Sequence, residues 1–377
     1  MSSEAETPEK ALKAGRGYGR VYNFNGGPAA LPQEVLEEAA GELLNWRGSG
    51  MSMMEISHRD KRVVQMVGDC ESDILALLGL GSEWRAIFLQ GGASLQFAMI
   101  PMNFAADGAV SDYVNTGMWS DKAYKEALVC GSKARLAASS QKDDFTRIPD
   151  SFDFSQEARY VYLTANNTVR GTEWRSFPEK APAPLISDMS SDFLSRPLDL
   201  KNFVLAHAGA QKNVGPAGLT IVLIKPEFAA TGKKGLPRLL DYRTYLESDS
   251  MYNTPPVFSI YVAGLVMKWL RNKIGGLSRM AAINQKKAAA LYLAIDQSQG
   301  FYRGTAREDS RSLMNVTFRL PTPELEEAFL AQAKKEGLWG LNGHRSVGGI
   351  RASIYNAVPA EAVKTLIEFM AEFQRRA

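Results

Sequence analysis

The chain has 377 residues, of which 45% are hydrophobic and 23% charged, and its formal net charge is +3. This composition is that of an ordinary globular protein too long for one small core, and the near-balanced charge argues against a nucleic-acid-binding surface. The apolar runs are too short to span a membrane and Met1 to Arg20 lacks the apolar core of a secretory signal, so we expect a cytoplasmic protein with a flexible tail at residues 1–20.

Helical and strand-like segments alternate along most of the chain. A turn at residues 25–28 precedes a helix predicted from Pro32 to Trp46, whose apolar stripe includes Leu43 and Leu44, and a second helix runs from Lys61 to Leu78. Short apolar strands are predicted at 86–90, 110–116, 159–164, 185–187, 203–206 and 219–224. This alternation predicts an α/β fold with a largely parallel sheet flanked by helices.

The end of the chain has a different pattern of strand, helix, strand and helix over residues 313–375. It predicts a small α+β domain at residues 276–377 after a large domain at residues 21–275, whose first ten or so residues pack with the small domain. Cys70 and Cys130 lack the spacing of metal ligands, and no metal site is predicted.

Lys212 lies in a stretch that suits covalent chemistry. Its neighbours Gly209, Gly215 and Gly218 allow tight turns, and an apolar strand follows. A nucleophilic lysine must be shielded from water, because desolvation favours the neutral amine. Taken alone, the stretch is more typical of a surface lysine on a loop.

Asp188 ends a short strand upstream of Lys212. It either caps the next turn or pairs with the pyridinium nitrogen of a cofactor, since pyridoxal phosphate enzymes combine such an aspartate with a lysine. Trp119 is either a core residue or a platform for a cofactor ring. Thr168 is either a turn residue or a hydroxyl that contacts the ring.

Two kinds of anion-binding pattern occur outside this stretch. The turn at Gly91 and Gly92, between a strand and a helix, is typical of a phosphate held at a helix N-terminus, although such turns are common. Two histidines are each followed by arginine, at His58-Arg59 and His344-Arg345, and Arg351 follows. These residues are either solvated surface pairs or a set that binds a substrate with several negative charges.

With these residues in place, the chain resembles the phosphoserine aminotransferase family from Val21 onward. The matching segments are FNGGP at 24–28, EISHR at 55–59, QGGASLQF at 90–97, SDMSSDFLSRP at 187–197, GAQKNVGPAG at 209–218, YNTPP at 252–256 and GHRSVGGIRASIYN at 343–356. The resemblance implies a fold-type I enzyme with a seven-stranded sheet, pyridoxal 5′-phosphate as cofactor, and a homodimer that transfers the amino group of glutamate to 3-phosphohydroxypyruvate.

The resemblance also implies a role for each candidate residue. Lys212 would hold the cofactor covalently and move the proton, and Asp188 would pair with the ring nitrogen. The remaining cofactor contacts would come from Ala93, Ser94, Trp119, Thr168 and Gln211, and from Asn253 and Thr254 of a partner subunit. Arg351 would bind the substrate α-carboxylate. The distal phosphate or carboxylate would meet His344 and Arg345, and His58 and Arg59 of the partner.

One position departs from the family pattern, because Ser94 stands where some members carry arginine. Three other interpretations stay open: an aminotransferase of the same fold that uses glyoxylate or pyruvate, a non-catalytic pyridoxal phosphate-binding protein, and activity on the related phosphohydroxythreonine substrate of vitamin B6 synthesis. The two His-Arg pairs disfavour the first two. A dinucleotide-binding oxidoreductase is disfavoured because Gly91-Gly92 lacks the full glycine fingerprint.

Overall fold

The structure is a computed structural model that describes residues 17–377. Its α-helices are α1 (Gln33–Gly41), α2 (Lys61–Leu78), α3 (Gly92–Phe104), α4 (Met118–Val129), α5 (Pro226–Ala230), α6 (Tyr242–Glu247), α7 (Val257–Lys268), α8 (Leu277–Asp296), α9 (Pro323–Lys335) and α10 (Ala360–Arg376). Its strands are β1 (Tyr22–Asn23), β2 (Arg85–Leu89), β3 (Val110–Asn115), β4 (Lys133–Ser139), β5 (Val161–Thr164), β6 (Asn166–Asn167), β7 (Thr172–Glu173), β8 (Leu185–Asp188), β9 (Phe203–Gly209), β10 (Thr220–Ile224), β11 (Arg303–Gly304), β12 (Asn315–Arg319), β13 (Leu338–Trp339) and β14 (Ile350–Ser353). Among residues 17–377, none of these helices has both the length and the apolarity to cross a bilayer.

A seven-stranded sheet organises the first two thirds of the chain, in the order β2-β10-β9-β8-β5-β3-β4. Strand β10 runs antiparallel to both neighbours, and the other neighbouring pairs are parallel. The predicted α/β fold with a mostly parallel sheet is therefore confirmed. Because six strands run the same way, the loops after their carboxyl ends gather at one edge, where ligands of such sheets bind.

Both faces of this sheet are covered, as the nearly continuous apolar strands require. On β10, Ile221 and Leu223 point into one core with α2 and α7, whereas Val222 and Ile224 point into another with α3 and α4. This alternation follows from the period of two residues in a strand. The sheet is thus a rigid support for the loops at its edge.

A third core is formed by the C-terminal elements α8, α9, α10, β12 and β14, together with Tyr22 and Phe24 from the start of the described chain. Strand β1 pairs in parallel with β13, with Tyr22 opposite Leu338. Between the first and third cores, α7 passes into a π-helical turn at Trp269–Ile274. The division into domains near residue 275 stays a prediction.

The predicted helix from Pro32 to Trp46 is too long. Helix α1 ends at Gly41, only Val35 and Ala39 of its residues are buried, and Leu44 is 86% exposed. The prediction was wrong because the spacing of apolar residues does not show whether other parts of the same chain cover their side chains. Residues 1–16 of the predicted tail lie outside the described residues. At the other end of that tail, Arg20 Nη2 donates to the Leu31 carbonyl at 3.3 Å.

Candidate active site

Lys212 lies in the hairpin between β9 and β10, at the carboxyl edge of the sheet. The turn is closed by the Gly215 N–H, which donates to the Ala210 carbonyl at 2.8 Å, and by the Ala210 N–H, which donates to Leu219 at 2.9 Å. The lysine side chain is 9% exposed, and its Nζ donates to Thr168 Oγ1 at 2.8 Å. The hairpin therefore holds the amine inside the protein, and the surface-loop interpretation is wrong.

Burial, with a smaller contribution from nearby Arg351, lowers the pKa of Lys212 to about 8 against the opposing effects of Asp188 and Asp192. The neutral amine is the nucleophile. The site therefore makes the nucleophilic form available near neutral pH, as a lysine that forms a covalent bond requires.

This pKa predicts how fast the cofactor-free protein captures the pyridoxal phosphate that the resemblance implies. The rate should rise with pH through about 8, because deprotonation produces the nucleophile, and should then level off. Stopped-flow absorbance at several pH values measures it. An ordinary lysine would give a rate that still climbs near about pH 10, and that result would contradict a desolvated amine.

Asp188 is buried at the end of β8, beside Lys212. Its Oδ1 accepts from the Ser190 N–H at 2.9 Å and lies 3.9 Å from Nδ1 of the buried His207. The other imidazole nitrogen of His207, Nε2, is hydrogen-bonded to the Tyr162 hydroxyl at 3.0 Å. Burial lowers the pKa of His207, although Asp188 opposes this, so the carboxylate faces a neutral ring and keeps its own charge available for a ligand.

The start of α3 supplies backbone donors at the same edge of the sheet. Gly91 has a φ of 88°, a left-handed conformation that suits glycine, and turns the chain from β2 into the helix. Among the described residues, no acceptor takes the N–H groups of Gly92, half-buried Ala93 or exposed Ser94. Free N–H groups at a helix N-terminus attract phosphate.

Trp119 begins the helix after β3. The Ser120 hydroxyl accepts from the N–H groups of Thr116 and Gly117 at 2.9 and 3.0 Å, which fixes the turn before it. The Trp119 side chain is half-buried, and in the part of the chain that the structure describes its indole N–H has no hydrogen-bond partner. The ring is thus held at the edge of the core and remains partly accessible.

Arg351 reaches the same place from β14 in the C-terminal part of the chain. Its Nη1 donates to the Thr168 carbonyl at 3.4 Å, while Lys212 contacts the hydroxyl of that same threonine. The buried Nε of Arg351 has no hydrogen-bond partner within residues 17–377. A guanidinium with unused donors beside a buried amine is suited to bind a carboxylate.

Gly26 leaves the space that the guanidinium fills, because a Cβ at Gly26 would lie 2.6 Å from both Cζ and Nη2 of Arg351. We expect Gly26→Ala to displace the guanidinium and raise KM for every carboxylate substrate about 10-fold, with cofactor attachment unchanged. Steady-state kinetics and the visible spectrum measure the two effects. Gly41→Ala is the matched control, since a Cβ there meets no atom within 4 Å.

His344 and Arg345 lie in the loop before β14. His344 is half-buried, and burial together with Arg351, Arg345 and Lys122 lowers its pKa. The loop thus adds basic groups on the side of the site where Arg351 enters.

Four predicted residues are not brought to Lys212 within one chain. Half-buried His58 and exposed Arg59 precede α2, and half-buried Asn253 and exposed Thr254 precede α7. Within residues 17–377, none of their side chains forms a hydrogen bond or ion pair with Lys212, Asp188 or Arg351. The Thr254 carbonyl accepts from Gln90 Nε2 at 3.4 Å, next to the turn at Gly91.

Sequence reasoning missed several residues that support the site. The Tyr355 hydroxyl donates to the Gly26 carbonyl at 3.0 Å, and the Asn356 N–H donates to the Asn213 side chain at 3.0 Å. The first bond ties the segment after Arg351 to the turn at Gly26, and the second ties it to Asn213, the residue next to Lys212. Both residues belong to the matching segment at 343–356, but only the fold shows what they contact. Asp192 is also buried near the site, and burial raises its pKa.

The site fits pyridoxal phosphate. Lys212 offers a buried amine whose bond is to a threonine hydroxyl, and Asp188 offers a buried carboxylate close to it. The backbone at Gly27 runs directly against the lysine, since a Cβ there would touch Lys212 Cγ at 3.4 Å. Half-buried Gln211 follows the strand that ends at Gly209, and free N–H groups lie at the start of α3. Amine, carboxylate and anion donors are the groups this cofactor requires.

Comparison with known proteins agrees with this chemistry. Residues 21–366 match the model of the family described as aminotransferase class-V. The chain is 52% identical to the phosphoserine aminotransferase of Desulfosudis oleivorans, over 94% of this chain and 98% of that protein.

Solved structures are similar over the same range. The phosphoserine aminotransferase from Bacillus circulans subsp. alkalophilus is 49% identical, with a TM-score of 0.92 over 95% of this chain and 99% of that one. A pyridoxal phosphate-bound phosphoserine aminotransferase from Trichomonas vaginalis is 39% identical, with a TM-score of 0.88 over 93% of this chain and 100% of that one. The chain therefore belongs to the class-V aminotransferase family and, within it, to the phosphoserine aminotransferases.

Proposed function

We propose that this enzyme transfers the amino group of L-glutamate to 3-phosphohydroxypyruvate and so forms O-phospho-L-serine and 2-oxoglutarate, a step of serine biosynthesis. The observation that carries the proposal is that Lys212 and Arg351 both contact Thr168. Lys212 Nζ contacts its hydroxyl at 2.8 Å, and Arg351 Nη1 contacts its carbonyl at 3.4 Å. A substrate whose α-carboxylate is bound by Arg351 would thus present its Cα near the lysine amine. The names of the relatives support the choice of substrates.

Pyridoxal phosphate, when bound, supplies an electron sink for bonds that break at the substrate Cα. Lys212 would hold the cofactor covalently and then, as a free amine, carry the proton that leaves Cα. Its lowered pKa suits this role, because a general base works best when its pKa lies near the working pH. Asp188 would keep the ring nitrogen protonated through its buried negative charge.

The other cofactor contacts would position the ring and its phosphate. Trp119 would stack on the ring, and the Thr168 hydroxyl, which already bonds Lys212, would contact the ring oxygen. Ala93, Ser94 and Gln211 would hold the phosphate, supported by the free N–H groups at the start of α3.

On the substrate side, Arg351 would bind the α-carboxylate that glutamate, 2-oxoglutarate, phosphoserine and 3-phosphohydroxypyruvate share. His344 and Arg345 would meet the distal group, which is a phosphate in one substrate pair and a carboxylate in the other. A basic loop near a buried arginine suits substrates with an anion at each end. An uncharged acceptor side chain, as in glyoxylate or pyruvate, would leave these groups without a partner.

The substrate proposal is tested by comparing acceptors. With glutamate as donor, kcat/KM for 3-phosphohydroxypyruvate should exceed that for glyoxylate and pyruvate by at least about 10²-fold, because neither competitor has a distal anion. Preference for glyoxylate would overturn the substrate assignment. Glutamate alone tests catalysis, because an enzyme should change the visible absorbance of the bound cofactor and release 2-oxoglutarate, whereas a carrier protein should do neither.

The complete site is proposed to form between two copies of the chain. His58 and Arg59 would reach the substrate from the second copy, and Asn253 and Thr254 would reach the cofactor phosphate. Large apolar side chains on either side of the first pair in the sequence are exposed: Leu44 (86%), Met54 (62%) and Val64 (47%). Exposed apolar side chains of this size favour burial against another protein surface, and a second copy would bring the basic pair with it.

A subunit-mixing experiment tests the shared site. Arg59→Ala and Lys212→Ala chains are each expected to be inactive or nearly so. If Arg59 acts across the interface, mixed dimers contain one site with both substitutions and one site with neither, so mixing should restore activity. Light scattering should show a dimer for each variant. A monomer, or dimers that exchange subunits without recovery, would contradict the proposal.

We also place the enzyme in the cytoplasm. The support is the absence of a disulfide between the described cysteines, since Cys70 and Cys130 are both free. Cell fractionation with activity assays tests the location. Recovery of the enzyme in an extracytoplasmic fraction would contradict it.

A further inference from the structure

Lys287 is a buried lysine that the assigned site does not use. It lies on α8 and is 2% exposed, and within residues 17–377 no carboxylate forms a salt bridge with it. Burial lowers its pKa to about 7. An amine buried in this way costs free energy unless its N–H groups find acceptors. The acceptors of Lys287 therefore show which part of the protein the side chain holds.

All the acceptors of Lys287 are backbone carbonyls of one turn, residues 354–358, which follows β14 and leads into α10. The amine donates to the carbonyl oxygens of Ile354 at 2.9 Å, Tyr355 at 2.7 Å and Val358 at 3.0 Å. An ammonium has three N–H donors, so each of them is used. Removing the amine would take a donor from three buried residues. Lys287 therefore fixes the chain at the carboxyl end of β14.

Helix α8 holds the same turn at a second point. Asn284 lies three residues before Lys287, on the same face of the helix, and is buried. Its Nδ2 donates to Asn356 Oδ1 at 2.8 Å and to the Ser195 carbonyl at 3.0 Å. Two side chains of one helix thus keep the turn from shifting along the strand.

The turn reaches the site through Gly26, because the Tyr355 hydroxyl donates to the Gly26 carbonyl at 3.0 Å. The guanidinium of Arg351 packs directly against this glycine, since a Cβ there would lie 2.6 Å from Cζ. The guanidinium itself has a single long hydrogen bond, 3.4 Å from Nη1 to the Thr168 carbonyl, and its Nε has no partner among the described residues. Its place therefore depends mainly on the backbone that packs against it.

We infer that Lys287 is a positioning residue that keeps Arg351 where it binds the α-carboxylate of the substrate. The contacts run from the amine to the Tyr355 backbone, from the Tyr355 hydroxyl to Gly26, and from Gly26 to the guanidinium. A misplacement of about 1 Å can cost an enzyme up to about 10²-fold in rate, so a loosened turn is enough to weaken binding. The inference rests on the role of Arg351 in the proposed function, and it adds a residue that lies outside the matching segments.

The test compares Lys287→Met with wild type. We expect KM for glutamate and for O-phospho-L-serine to rise alike by about 5- to 10-fold, while kcat changes less than about 2-fold and the visible spectrum of the bound cofactor stays the same. Methionine keeps the unbranched stem of the side chain but donates no hydrogen bond. Steady-state kinetics are measured well below the Tm of every variant. A fall in kcat with KM unchanged, a rise in KM for one substrate only, or no change would overturn the inference.

Tyr302→Phe is the matched control for lost stability. It removes a buried hydrogen bond, from the Tyr302 hydroxyl to the Met370 carbonyl at 2.8 Å, in the core that also contains α8. This bond does not involve the turn at 354–358. Tm should therefore fall in the control while KM stays the same for both substrates. A rise in KM like that of Lys287→Met would assign the effect to stability and overturn the inference.

A double-mutant cycle tests whether Lys287 acts through Arg351. In the Arg351→Gln background, Lys287→Met should lower kcat/KM by less than a further factor of about 2, because the guanidinium that it positions is gone. The same 5- to 10-fold loss in both backgrounds would overturn the inference. If Lys287→Met does not fold, Tyr355→Phe takes its place, since it breaks the bond to Gly26, and an unchanged KM in that variant would overturn the inference.

The inference and the proposed function fail in different ways. A wild-type enzyme that does not use O-phospho-L-serine would overturn the proposed function. The role of Lys287 would then be decided with glutamate alone, because glutamate also carries the α-carboxylate that Arg351 would bind.

Discussion

Replacing Lys212 with alanine is expected to abolish covalent attachment of pyridoxal phosphate and to lower transamination by about 10⁴-fold or more. The reason is that one side chain supplies both the nucleophile that binds the cofactor and the base that moves the proton at Cα. No other described lysine is shown to contact Thr168. Mass spectrometry after borohydride reduction should detect cofactor on wild-type protein and none on the variant, and single-turnover absorbance should measure the remaining rate.

The protein should stay folded in this experiment. Removing a buried amine whose hydrogen bond is to a hydroxyl deletes a group that costs free energy to desolvate, so we expect little change in Tm. Lys201→Ala is the control, because Lys201 is exposed in the loop before β9 and should keep full activity. A Lys212→Ala protein that still binds the cofactor covalently, or that still turns over at a wild-type rate, would contradict the mechanism.

The sequence predicted the sheet well because buried strands and helices have distinct apolar periods. Helix α2 occupies Lys61–Leu78 as predicted, and its amphipathic face packs in the core against α7. Strand β4 was not predicted, because exposed or half-buried residues such as Lys133 and Arg135 leave it with little apolar signal at its edge of the sheet. The other edge strand, β2, is buried and was predicted from its apolar run, so the exposure of β4 and not its edge position alone removed the signal.

The candidate site was predictable to the extent that its residues follow strands. Asp188 ends β8, Lys212 follows β9 and Trp119 follows β3, so the parallel sheet brings all three to one edge. The burial of Lys212 and the contact of Arg351 with Thr168 depend on how the C-terminal elements pack over that edge. Such contacts join residues far apart in the chain, and local sequence patterns do not encode them.

Replacing Arg351 with glutamine should lower kcat/KM for all four substrates by about 10²- to 10³-fold, mainly through KM. Each substrate carries an α-carboxylate, which the half-buried Arg351 would bind. A bidentate, charge-assisted hydrogen bond stabilises the bound substrate several times as strongly as a neutral hydrogen bond. Glutamine is too short to reach the Thr168 carbonyl, but Lys212 and its bond to the Thr168 hydroxyl are unchanged, so covalent attachment of the cofactor should persist. Steady-state kinetics in both directions measure the loss, and the visible spectrum measures attachment.

The contrast between Arg351 and Arg345 makes this prediction specific. Arg345→Gln should weaken substrates according to their distal group, with phosphoserine affected more than glutamate, because the phosphate carries more charge. Arg303→Gln, at an exposed position on β11, should change neither substrate. If Arg351→Gln impaired only the phosphorylated substrates and Arg345→Gln impaired all four, the roles of the two arginines would be exchanged. In that case the α-carboxylate would lie toward the loop and the distal anion beside Lys212, and the proposed substrate orientation would be reversed.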